Sequence, residues 1–151
     1  MMRHTTRHIC LTLLFAAAHS AGGCGGDSST SPTTTTTTTT ATLVTETFSG
    51  SIGQNGVSVY PFTVSTSGYS LLAGYTSIVP ASVTALGIGL GSWDATTSTC
   101  SLNITQNDAG RSGSTAISGN ANAGSYCLRV YDGANIGASV TASYSVQVQH
   151  Y

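Results

Sequence analysis

Gly124-Ser125-Tyr126-Cys127-Leu128-Arg129-Val130-Tyr131-Asp132 is the stretch from which the fold of this chain can be read. Tyr126, Leu128 and Val130 alternate with Cys127, Arg129 and Tyr131, the period of two that sends successive side chains to opposite faces of a strand. Gly124 opens the segment and Asp132-Gly133 closes it with turn chemistry. A strand with one apolar face requires a second layer to cover that face.

Outward from this segment the same pattern repeats. Short apolar alternations separated by Gly, Ser, Asn and Asp predict strands at Thr45 to Ile52, Val57 to Ser65, Tyr69 to Ser77, Ala85 to Asp94, Thr99 to Thr105, Ser114 to Ser118, Gly124 to Asp132 and Ala142 to His150. Helical periodicity is missing throughout this region, so the predicted class is all-β, a single antiparallel sandwich of about eight strands. Tyr60, Phe62 and Val64 share one face, and Pro61 between them marks an edge strand or a bulge because proline has no ladder donor. Leu86, Ile88 and Leu90 alternate with Gly87, Gly89 and Gly91; the bare glycine face is expected to let the strand bend, close approach of a neighbour being the alternative. The last strand, Tyr144 to Gln149, has one apolar and one neutral polar face and is expected beside the Gly124 strand.

Four segments together resemble a known family. Tyr60-Pro61-Phe62-Thr63-Val64, Gly68-Tyr69-Ser70-Leu71-Leu72, Gly124-Ser125-Tyr126-Cys127-Leu128-Arg129-Val130 and Tyr144-Ser145-Val146-Gln147-Val148 are similar to successive strands of the bacterial pre-peptidase C-terminal domain. The resemblance covers most of residues 45 to 150. It implies a jelly-roll-like β-sandwich that binds or spaces and does not cut. Where that family often has Asp-x-Asp-Leu, this chain has Gly91-Ser92-Trp93-Asp94, which weakens any calcium site carried over.

The N-terminal part carries an address. Arg3, His4, Arg7 and His8 precede an apolar run, Ile9 to Ala18, that is shorter than the roughly 20 residues a membrane-spanning helix needs. Ala21-Gly22-Gly23-Cys24 then resembles the lipobox of bacterial lipoproteins, with Ala21 where Leu is commonest. The resemblance implies a signal peptide over 1–23, lipidation of Cys24 and a membrane partnership through that anchor. Gly25 after the cysteine implies the outer membrane or cell surface in preference to the inner membrane. Acyl chains hold through burial of methylenes, at about 0.8 kcal/mol each, so several are needed. Residues 24–42, with eight successive threonines from Thr33 to Thr40, lack apolar side chains able to enter a core and are expected to be a disordered tether. Residues 43–151 are the sandwich.

Each cysteine has a place. Cys10 is expected to leave with the signal, Cys24 is the lipidation candidate, and Cys100 and Cys127 are expected to form a disulfide in an exported domain. Parity opposes this pairing, because Cys100 aligns with Leu102 and Ile104 whereas Cys127 opposes the Tyr126, Leu128 and Val130 stripe. A bulge near one cysteine, or a misassigned face, must resolve it. Zinc lacks ligands, since only His150 could join the thiols.

Chemistry is sparse. Charged residues are only 6% of the chain and Lys is absent; beyond residue 20, Arg111 and Arg129 stand against five acids, a net of −3. Nucleic acid, which requires clustered cations, is not an expected partner. His150 is the sole imidazole after the signal and is expected to be a solvated strand end, so no nucleophile-base pair is in view and the chain is expected to be non-catalytic. Asp94, Asp108 and Asp132 read as turn residues; the alternative joins two of them, with the carbonyls of Asn103 or Asn107, at one end of the sandwich around calcium, which takes six to eight oxygens. Tyr131, Asp132 and Trp93 are the candidate ligand contacts, an outward aromatic offering a flat apolar face. The expected function is binding of an envelope or extracellular glycan or protein, and the alternative is a purely structural spacer.

Overall fold

A computed structural model describes residues 40–151. The signal segment, Cys24 and most of the tether lie outside the described residues. Eight strands follow in order: β1 (Val44–Gly53), β2 (Val57–Val64), β3 (Tyr69–Val79), β4 (Leu86–Asp94), β5 (Thr99–Gly110), β6 (Ser114–Ala121), β7 (Gly124–Tyr131) and β8 (Thr141–His150). They form two antiparallel four-stranded sheets, ordered β1-β8-β3-β6 and β2-β7-β4-β5.

The pairing is that of a long hairpin wound on itself. β4 pairs with β5 at its tip, then β3 with β6, β2 with β7 and β1 with β8. The β3-β8 and β4-β7 ladders close the sheets. This is jelly-roll topology, as expected. Between the sheets lie Leu71 and Tyr75 of β3, Leu86, Ile88 and Leu90 of β4, Leu128 and Val130 of β7, and Val146 and Val148 of β8, all essentially inaccessible to solvent. Alternation thus places the apolar stripes of both sheets in one core.

β7 is an interior strand with its Tyr126, Leu128 and Val130 stripe on the core. β2 lies at the sheet edge, where Pro61 costs no interior hydrogen bond. β8, expected beside β7, instead lies in the other sheet between β1 and β3. Gly133 to Val140 is therefore an intersheet crossing, and Ile136 within it is buried. β5 extends to Gly110, so Asp108 stands in a strand and not in the turn expected for it.

The glycine face of β4 serves close approach. Gly87, Gly89 and Gly91 sit opposite Tyr131, Arg129 and Cys127 of β7 on the outer surface of the sheet. A Cβ on Gly87 would run into the Tyr131 ring, and one on Gly89 would come within 2.8 Å of Leu102. At Gly91 it would strike the Ser101 carbonyl. The register of β5 against β4 slips between the pairs Leu90–Thr105 and Ser92–Ser101.

That slip also reconciles the cysteines. β5 and β7 flank β4, and strands two places apart in a flat sheet are separated by about 9–10 Å. The Cα atoms of Cys100 and Cys127 are nevertheless 5.8 Å apart, joined by a disulfide. The bulged β5 passes over the bare backbone at Gly91, leaving Cys100 and Leu102 on the outer face while Ile104 packs against the core. The bridge joins residues 27 apart in sequence, a closed loop worth about 3.5 kcal/mol in the chain-entropy model.

His150 is not a solvated strand end. It continues the inward face of β8, is 3% exposed, and places Nε2 2.9 Å from Glu46 Oε1. Its ring lies 5.6 Å from that of Phe62, and Nδ1 has no hydrogen-bond partner among the described residues. Phe48 and Tyr60, stacked with centroids 5.1 Å apart, continue this aromatic seam along β1 and β2.

Candidate functional site

The outer surface of the β2-β7-β4-β5 sheet carries the residues singled out from sequence. Tyr131 lies over Gly87, donates its hydroxyl hydrogen bond to Asp108 and has the Arg129 guanidinium 5.6 Å from its ring centroid. Burial, reinforced by the hydrogen bond and charge of Asp108, pushes the Tyr131 phenol up to about 12, against a smaller opposing effect of Arg129. The ring is therefore a cover for the sheet, pinned at both face and hydroxyl. Tyr131→Phe should lower stability by about 1 kcal/mol at neutral pH, the scale of one hydrogen bond. The raised phenol also contributes stability that is complete below pH 10 and lost as pH rises toward 12, since the unfolded tyrosine ionises first. Urea midpoints measured from pH 8 to 12 should fall less steeply for the Phe variant; parallel curves would remove this role.

Asp132 is a tie between loops. Its carboxylate accepts from the amides of Asn55 (2.9 Å), Asn135 (2.8 Å) and Ile136 (3.1 Å), while its own amide donates to Gly56 O. Burial alone would raise its pKa, but these backbone donors outweigh burial and hold the carboxyl below its ordinary range. Trp93 and Asp94 belong to the other end of β4. Trp93 pairs with Cys100 and is half-buried. Asp94 caps its own hairpin turn by accepting from Thr96 and Thr97, contacts that lower its pKa. Gly87, the partner of Tyr131, and Trp93 are six residues apart on β4, about 20 Å along the strand. Tyr131 and Asp132 are thus neighbours, and Trp93 does not join them.

The same spacing divides the calcium candidates. Asp108 meets Tyr131, and a Cβ on Gly133 would strike the Asp108 carbonyl, so Asp108 and Asp132 share one end while Asp94 occupies the other. Among the described residues, no three His, Cys, Asp or Glu side chains converge as a metal site. The three aspartates are used by a tyrosine, a loop tie and a turn.

The opposite surface, not singled out from sequence, presents a different chemistry. Outward residues of the β1-β8-β3-β6 sheet fall into rungs: Thr45, Gln149, Leu72 and Ser118 in one; Thr47, Gln147, Gly74 and Thr115 in the next; then Ser49, Ser145 and Ser77. None of them is charged. Ser49 and Ser145, and Ser51 and Ser143, join hydroxyls across strands at 3.3 and 2.7 Å. Register slips in β3 at Gly74 and opposite it in β6 hollow this surface into a groove of about 430 Å³, walled by Gln147, Gln149, Ser114 and Thr115. Gly74 permits the close approach of the β6 backbone beside the groove, because a Cβ there would collide with the Ser114 carbonyl. The neutral alternate face of β8 was the only signal of this surface in the sequence; the hollow depends on registers set by distant partners.

Fold and surfaces together define an eight-stranded jelly-roll β-sandwich with one uncharged hydroxyl-amide face. No family model matches the chain, and no curated protein matches it.

Proposed function

We propose that the chain is a lipid-anchored, non-catalytic module of the bacterial cell envelope, held through Cys24 and a threonine-rich tether, that binds an envelope or extracellular macromolecule. The observation that carries this reading is the groove of about 430 Å³ in an uncharged sheet face, a concave surface with polar groups on a rigid scaffold. The resemblance of the strand motifs to the pre-peptidase C-terminal domain favours the same role. His150, the imidazole a hydrolytic triad would require, is engaged with Glu46 inside the sandwich. Outer-membrane or surface placement follows from Gly25 after the lipobox.

The test uses the full chain expressed with its own N-terminus in a bacterium. Intact mass of the membrane-extracted protein should show acyl chains that Cys24→Ser abolishes, with release of the variant from membranes. Photo-crosslinking from groove positions in intact cells should capture an envelope component. An unmodified Cys24 overturns the anchor, and absence of any crosslinked component favours a structural spacer.

A further inference from the structure

We infer that the groove over Gly74 is a binding site for an uncharged glycan, an inference that rests on the proposed binding role and narrows it to one ligand chemistry. Charge is the first reason. Every strand of the β1-β8-β3-β6 sheet contributes outward residues to this face, and all are Ser, Thr, Asn, Gln, Gly or apolar. An anionic polymer would require Lys or Arg at the contact, and a cationic one would require carboxylates. The groove is lined by neither, and Arg111, which precedes its Gly113 rim, is not among the lining residues.

Donor chemistry is the second reason. Gln147 and Gln149 each carry a carbonyl acceptor and an amide donor, and Ser114, Thr115 and Thr76 add hydroxyls that both donate and accept. A sugar ring presents the matching set of hydroxyl groups, each able to donate and accept. Gln147 and Gln149 lie two residues apart on β8, about 7 Å along the strand, so both amides face one surface and can grip adjacent parts of a chain.

Shape is the third. Gly74 puts no side chain into the groove, and Leu72, also in its lining, supplies the apolar contact on which the C–H face of a sugar can rest. A volume of about 430 Å³ falls within the usual range of ligand sites, roughly 300–1,000 Å³. The ligand class is thus a neutral polysaccharide held by amide and hydroxyl hydrogen bonds.

The test is calorimetric titration of the full chain in detergent with neutral gluco-, manno-, galacto- and xylo-oligosaccharides of four to six units, with polygalacturonate and heparin as anionic comparators. At least one neutral series should bind, with affinity changed less than twofold between 50 and 500 mM NaCl. The double variant Gln147→Ala, Gln149→Ala should weaken it at least tenfold while keeping the wild-type unfolding midpoint. Val59→Asp on the opposite sheet should leave it unchanged. Binding only to anionic polymers, no binding to the neutral panel, or equal affinity in the double variant overturns the inference. Crosslinking of a protein component from the same groove, with no glycan bound, would overturn the glycan while leaving the binding role intact; failure of both experiments would remove the role itself.

Discussion

Gly91→Val is expected to break the Cys100–Cys127 bridge without touching either cysteine. The bridge exists because β5 passes over β4 where β4 has no side chain; a Cβ at Gly91 meets the Ser101 carbonyl and lies 2.8 Å from Leu102 Cα. Valine must lift β5 away from the sheet, and Cα atoms more than about 7 Å apart cannot be joined by a disulfide. Loss of the bridge and overpacking together should cost about 3–5 kcal/mol, measured by urea unfolding, with two free thiols appearing on titration. The double variant Cys100→Ser, Cys127→Ser should cost about 2–4 kcal/mol. In that background the added penalty of Gly91→Val should shrink, because the two changes act through one contact. Full additivity, or retention of the disulfide in the Val variant, would show that the glycine does not control the crossing.

Glu46→Ala should have the second large effect. His150 is 3% exposed and its Nδ1 has no partner among the described residues, so removing Glu46 leaves both ring nitrogens buried without a partner among them. Loss of one member of a buried polar pair costs more than the pair contributes, because the survivor keeps its desolvation penalty. Glu46 is about one-third exposed, so water can replace part of the contact. A loss of about 2–3 kcal/mol is expected in chemical unfolding at neutral pH. His150→Phe is the informative comparison: an apolar ring beside Phe62, with Glu46 free to turn toward water, should cost about 1 kcal/mol or less. If Glu46→Ala is no more harmful than His150→Phe, the contact does not hold the β1–β8 seam at this end.

Much of the sandwich was legible in the residues themselves. The eight predicted strands occur where alternation placed them, with ends displaced by a few residues except at β5, because alternation reports which side of a strand leaves water and depends only on near neighbours. Pro61 marks an edge or a bulge for an equally local reason, the missing N–H, and β2 is an edge strand. Elimination pairs Cys100 with Cys127, and their parity conflict demands either a bulge or a misassigned face; β5 contains the bulge.

The candidate site was less legible. Parity marks Tyr131 as outward-facing, but its task as a cover on Gly87, with its hydroxyl bound to Asp108, follows from the β7–β4 register and the extension of β5. The groove depends on Gly74 standing opposite Gln147 and Thr115, residues 73 and 41 positions away in sequence. Alternation in β8 showed a neutral polar face but carried no information on which strands would flank it.

By itself the sequence determined the strand inventory, the core stripes, the edge proline and the cysteine pair, all consequences of local period, ring chemistry or count. Only the tertiary structure decided that β8 leaves β7 for the other sheet, that the β4 glycines admit Tyr131, Leu102 and the crossing of β5, that His150 is buried against Glu46, and that one sheet face is hollowed and uncharged. The physical reason is that pairing and register are settled by the simultaneous burial of stripes far apart in the chain. A glycine or histidine acquires its role from whichever neighbour that packing brings against it.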